Sequence, residues 1–324
     1  MRFADVAGHA HVKDVLLRAA HRERVPHAFL FAGPEGVGKR RMALAFLSYL
    51  VCRERGEDDA CGRCRPCRMI DVGAFADLAV LAPEKGTIKI DAVREATPRL
   101  FFEALVGPWK CLLIDDAHTM TLEAANAALK TLEEPPARTL FVLVTSSPDV
   151  LPRTVLSRCV TLHFGALPTD DVAALVARER GIPEDDALAA AALSRGSPGR
   201  ALRLLDSPVL AERQAFIATF LELAAKGPAD RLEFSDGVAS TKEDAADTAI
   251  LLESLVQDVL VAASGRPDAE LCNRDMAGPI RAFAERVGID GALAVARAWT
   301  DWDAVRRYHP DTRAAMDRIV LGFR

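Results

Sequence analysis

The stretch Gly33-Pro34-Glu35-Gly36-Val37-Gly38-Lys39-Arg40 has the residue types to hold a phosphate. The glycines let backbone N–H groups converge on an anion, and Lys39 can reach its outer oxygens. An apolar run, Ala28-Phe29-Leu30-Phe31-Ala32, precedes the loop, and a helical pattern, Arg41 to Leu50, follows it. One position departs from nucleotide chemistry. A Ser or Thr after the lysine would place a hydroxyl on Mg²⁺, and the chain has Arg40 there. Arg40 adds a positive charge where the metal would lie.

A second group is Cys52, Cys61, Cys64 and Cys67, spaced x₈, x₂, x₂. Four thiolates at this spacing can close a tetrahedral Zn–S₄ site, and with every position filled the metal is structural. Arg63, Arg65 and Arg68 would offset the charge of such a centre. Four free or redox-active thiols are the alternative. Cys111, Cys159 and Cys272 are scattered and read as packing residues.

Further chemistry sits at strand ends. Leu112-Leu113-Ile114 runs into Asp115-Asp116. Beside a phosphate loop the first acid can hold Mg²⁺ and the second can polarise water. Asp116 is one methylene shorter than the glutamate this task favours. An error of about 1 Å can cost ~10²-fold in rate, so Asp116 is a doubtful base. Thr145 ends another apolar run on the same side. Ser157-Arg158-Cys159 follows it. In a ring of such subunits an arginine here can reach a neighbour's γ-phosphate, worth roughly 10³–10⁵ in rate. Outside a ring it is a surface charge.

The elements that must position these residues are short apolar strands at 28–32, 78–81, 110–114, 140–144 and 160–164, with helical patterns between them at 90–104 and 122–132. Residues 9–24 read as an amphipathic helix. This alternation predicts a five-stranded parallel sheet covered on both faces, with ligands beyond the carboxyl ends of its strands. From Pro168 to about Leu205 the chain is Ala-rich and helical, and from about 208 to 324 it reads as helical throughout. Three parts are expected: an α/β domain over 1–166 with the cysteine module at 52–67, a small helical domain over 167–207, and an all-α domain over 208–324. The 324 residues carry a net charge of −5, which excludes a wholesale basic nucleic-acid coat but not a local basic face. No apolar run approaches the ~20 residues that span a membrane, and a cytoplasmic location is expected.

Together these motifs resemble a family. Asp115-Asp116-Ala117-His118, Ala124 through Leu129-Lys130-Thr131-Leu132-Glu133-Glu134-Pro135-Pro136, and Ser157-Arg158-Cys159 are similar to the AAA+ clamp-loader family of bacterial DNA polymerase III, as is the cysteine module after the loop. The resemblance is close over about residues 5–205, and Tyr308-His309-Pro310 to Gly322 resembles the family's closing helix. Within the family, motor (gamma/tau) subunits have Thr or Ser after the loop lysine, Asp-Glu at the strand end and an arginine after Gly-Ser-x. Here those positions hold Arg40, Asp116 and Gly199, with Arg200 displaced by about 100° around a helix. All three departures are similar to the non-motor delta-prime type.

The resemblance implies a heteropentamer with gamma/tau and delta subunits that loads the sliding clamp on primed DNA. In it, 167–207 would be a lid and 208–324 a collar. Arg158 would act in trans on a neighbour's ATP. The loop residues Gly33, Gly36, Gly38 and Lys39, with Asp115, Asp116 and Thr145, would form a degenerate nucleotide site. ATP binding would be weak or absent, with no intrinsic ATPase or polymerase activity, and Cys52, Cys61, Cys64 and Cys67 would hold structural zinc. The alternatives are an active gamma/tau-like ATPase and a zinc-stapled DNA-binding module, and the acidic balance argues against the latter.

Overall fold

The computed structural model describes residues 1–223, 225–238, 242–308 and 317. They group into two units, 1–171 with 196–200, and 172–195 with 201–324.

The first unit is built on five strands: β1 (Ala28–Ala32), β2 (Leu78–Leu81), β3 (Lys110–Ile114), β4 (Thr139–Thr145) and β5 (Val160–His163). The sheet order is β2-β3-β4-β1-β5 and every pairing is parallel. Both faces are buried because the apolar runs are continuous, so successive side chains serve opposite cores. Phe29, Phe31, Leu113 and Val142 pack on one side with Met42, Phe46 and Leu47 of helix α2 (Lys39–Val51). Leu30, Leu112, Ile114 and Phe141 pack on the other. Their partners include Val93 of α4 (Ile90–Ala96) and Ala125 and Leu132 of α5 (Leu122–Glu133). Helix α1 (Ala10–His21) buries Val12, Leu16 and Ala20. The short α3 (Arg65–Asp71) carries the last cysteine of the module, and α6 (Arg153–Leu156) precedes Arg158.

Two local expectations differ from the structure. Strand β2 is an edge strand rather than a buried one: it has β3 on one side only, and Val80 is 39% exposed. The helix expected over 90–104 ends at Ala96 and continues as a 3₁₀ turn to Phe101. Pro98 explains this, because proline lacks the backbone N–H that would continue the α-helical ladder.

In the second unit the described elements are helical. After α7 (Thr169–Arg180), α8 (Glu184–Leu193) and α9 (Pro198–Leu205) come α10 (Val209–Leu223), α11 (Pro228–Val238), α12 (Lys242–Ala263) and α13 (Ala277–Tyr308). Gly288 interrupts α13 with φ 64° and ψ −177°, an extended conformation that glycine alone adopts readily. Phe220, Leu252, Leu255, Ile280 and Phe283 form the core of this unit. Beneath it, buried Asp258 accepts N–H bonds from Cys272 and Asn273, and Arg213 pairs with Asp275. Trp299 packs partly buried against this core, while the side chains of Trp302 and Tyr308 and the segment after it fall outside the described residues. No described helix is long and apolar enough to cross a membrane.

Candidate functional site

The glycine loop leaves β1 at the sheet's carboxyl edge. Gly33 donates its N–H to Thr145 O at 3.2 Å, so the loop starts beside the end of β4. Gly36 and Gly38 have φ of 72° and 102°, in the left-handed region that favours glycine. The loop then enters α2, with Lys39 as its first residue.

Lys39 is 5% exposed, and its Nζ donates to Gly33 O and Pro34 O, both at 2.6 Å. The ammonium is thus satisfied by carbonyls of its own loop. Burial lowers its pKa, opposed by Asp116, Asp115 and Glu35. Arg40 Nη1 lies 3.2 Å from Asp115 Oδ2. The side chain that replaces the expected hydroxyl is therefore paired with the acid that would hold Mg²⁺. Burial raises the Asp115 pKa, and Arg40 opposes that shift. Asp116 sits at φ 48°, where short polar residues are tolerated, and begins the turn leading to α5. Thr145 is fully buried, accepts from Ser147 N at 3.0 Å and lies 3.4 Å from His118 Nδ1.

Two residues that the sequence gives no site role, His9 and Ser197, complete the loop's surroundings. His9, at φ 54°, places Nε2 2.9 Å from Val37 O. Ser197 donates its hydroxyl to Glu35 O at 2.8 Å, and Gly199 N donates to Gly36 O at 2.9 Å. A Cβ on Gly36 would stand 2.4 Å from Ser197 Oγ, and one on Gly199 would stand 3.0 Å from Gly36 Cα. The two glycines therefore permit a backbone-to-backbone clasp. Gly36→Ala is expected to destabilise the protein by about 1–3 kcal/mol through positive φ and this clash. The denaturant midpoint should fall at unchanged m, and Ser197→Ala added to Gly36→Ala should recover the steric part.

Arg158 lies in a separate cluster. Its Nη2 is 2.6 Å from Glu133 Oε1, and its Nη1 donates to Thr154 O at 2.8 Å and to Ser157 Oγ at 3.3 Å. The side chain is 34% exposed. Glu133 is the last residue of α5, and Thr154 belongs to α6, so two helix C-termini meet at one guanidinium. Nothing in the sequence around Lys130, Glu133 and Glu134 marks Glu133 as the partner of Arg158. The signal is tertiary, the return of α6 onto the end of α5.

The four cysteines converge: their Sγ atoms all lie within 4.8 Å of one another. Cys52 and Cys64 Sγ are 3.9 Å apart, and Cys64 and Cys67 Sγ 3.4 Å. Ligands about 2.3 Å from a tetrahedral centre stand ~3.8 Å apart, so the cluster fits one metal ion. Cys61 N and Cys64 N each donate to a cysteine sulfur at 3.3 Å, which favours thiolate. Burial would raise the Cys61 pKa, but the backbone N–H groups of Arg63 and Cys64 and the neighbouring thiols outweigh it and bring it down to about 7. Burial and the adjacent thiol push Cys67 up. By contrast Cys111, Cys159 and Cys272 are raised by burial to about 12, 11 and 12.

The family described as "DNA polymerase III, delta subunit" matches residues 8–168. The delta′ subunit of DNA polymerase III from Escherichia coli is 39% identical over 194 residues, 59% of this chain and 58% of that protein. The tau/gamma subunit from Haemophilus influenzae is 38% identical over 175 residues, 54% of this chain and 25% of that protein. The delta′ subunit from Pseudomonas aeruginosa is 38% identical over 141 residues, 43% of each chain. The chain thus spans between a quarter and about three fifths of these relatives. The match centres on the unit that carries the glycine loop, the acid pair, the cysteine cluster and Arg158. Through it, the chain belongs to the clamp-loader family of DNA polymerase III, among relatives of both the delta-prime and the tau/gamma type.

Proposed function

We propose that this chain is a delta-prime-type, non-motor subunit of a bacterial clamp loader. It joins gamma/tau and delta subunits in a cytoplasmic heteropentamer that loads the sliding clamp on primed DNA. Residues 167–207 serve as its lid and 208–324 as its collar. Arg158 is offered in trans to the ATP of an adjacent motor subunit. Its own loop is a scaffold with weak or absent ATP binding, and Cys52, Cys61, Cys64 and Cys67 hold a structural Zn²⁺.

The observation that carries the reading is the Arg40–Asp115 pair at 3.2 Å. It sets a fixed cation where hydrolysis needs Mg²⁺ and occupies the carboxylate that would bind the metal. The internal bonds of Lys39 and the Gly36–Gly199 clasp point the same way. An active gamma/tau-type ATPase is the second reading, favoured by the 38% identity to a tau/gamma subunit. Steady-state ATPase assay of the purified chain separates them. Negligible turnover is expected, and turnover abolished by Lys39→Ala would falsify the proposal. Arg40→Thr alone is expected to leave hydrolysis negligible, because Asp116 and Gly199 still lack the groups for water activation and charge stabilisation.

Mechanistically, the chain's residues act on a partner's phosphate. The guanidinium of Arg158 is planar, permanently charged and forked, which suits the equatorial oxygens of a transferring phosphoryl group. In a largely dissociative transition state, such a donor counts most where charge spreads over those oxygens.

A further inference from the structure

Building on the trans role of Arg158, we propose that Glu133 is the positioning residue of this arginine. Glu133 holds the guanidinium in its presenting orientation and acts on hydrolysis only through it. Three contacts fix the Arg158 fork: Thr154 O at 2.8 Å, Ser157 Oγ at 3.3 Å and Glu133 Oε1 at 2.6 Å. The first two come from the arginine's own turn and use Nη1. They anchor one corner and leave rotation about it open. Glu133 takes Nη2 from α5, a different element, and so closes the orientation.

The donor inventory leaves the fork usable. Arginine carries five N–H donors, of which the two on Nη1 are hydrogen-bonded here, while Nη2 is ion-paired with Glu133. The Nε–H has no hydrogen-bond acceptor among the described residues. An anion can thus be bound without breaking the pair with Glu133. Glu133 itself is 49% exposed and Arg158 34%, so the pair contributes little to fold stability and can be altered without unfolding the chain. Its value lies in geometry, where a displacement of about 1 Å can cost ~10²-fold in rate.

A side chain that only shielded or solvated the surface would not depend on Arg158. The test is a double-mutant cycle in the reconstituted complex with tau/gamma and delta subunits, sliding clamp and primed DNA. ATP hydrolysis would be measured as kcat and KM, alongside assembly. Glu133→Gln is expected to lower kcat at the served site about tenfold, with KM and assembly unchanged. Glu133→Asp should recover part of the loss. In an Arg158→Ala background, Glu133→Gln should have no further effect. Equal losses in both backgrounds would show Glu133 acting by its own contact and overturn the inference. Unchanged kcat for Glu133→Gln, with a clear loss for Arg158→Ala, would also overturn it. No loss for Arg158→Ala, or failure of the wild-type chain to join the complex, would instead remove the trans-arginine reading on which the inference rests.

Discussion

Arg158→Ala is expected to slow ATP hydrolysis at the interface it serves by about 10³-fold, while the chain still folds and assembles. The size follows from what is lost. A permanently charged fork placed at a transferring phosphoryl group stabilises charge that develops only in the transition state, so its removal falls on kcat. The retained fold follows from what is not lost. Arg158 is 34% exposed, and its partners are a surface glutamate, a helix-end carbonyl and a hydroxyl. An exposed pair of this kind is worth about 0–1 kcal/mol. Arg158→Lys should recover little, because an ammonium cannot keep the same three acceptors and still present N–H groups in a plane. Single-turnover hydrolysis by the reconstituted complex is the measurement. A loss below about threefold would place the arginine outside the chemistry.

The parts that were legible in the sequence are those set by local pattern. Continuous apolar runs such as Leu140–Val144 mark strands buried on both faces, and the spacing of Cys52, Cys61, Cys64 and Cys67 marks a cluster that could hold a metal ion. Parallel pairing and the loop's place at the carboxyl edge followed from the strand–helix alternation. What was not legible depends on segments distant in sequence. Ser197 and Gly199 reach back to the loop across more than 160 residues. Val80 looks as buried as Val142 in a list of apolar residues, and only the strand order tells an edge from a centre. The role of Glu133 is likewise invisible from its own helix, whose end is a run of charged and proline residues that suits a solvated turn. Arg40 is visible in the sequence as a charge after the loop lysine, but its pairing with Asp115 depends on the loop and β3 lying side by side.

Removing the metal is expected to have the second large effect, and a local one. One Zn²⁺ per chain is expected by elemental analysis, and Cys64→Ser, which takes the thiol nearest to two others, should abolish it. Structural zinc in small modules is worth about 10–16 kcal/mol at neutral pH, enough to decide whether residues 52–67 are ordered. The stretch Arg53–Asp58 is exposed, so burial does not hold it. Polar tethers hold it to the rest of the unit. Asp59 accepts from Phe3 N at 2.8 Å and Ala4 N at 3.0 Å, and Tyr49 donates its hydroxyl to Glu57 O at 2.7 Å. The backbone of Gly62 lies against Arg2, and the amino terminus pairs with Asp71. Loss of the metal should therefore propagate to residues 1–5 before it reaches the sheet, whose core on that side rests on Phe29, Phe31, Phe46 and Leu47. Hydrogen exchange after chelation should accelerate at 52–67 and at Phe3 and Ala4, and stay slow in β1 and β4. Because protons compete with metal for thiolates, affinity should fall as pH drops. If exchange in β1 rises together with that in the module, the zinc is stabilising the whole sheet. If neither changes, the four cysteines are held by these tethers alone.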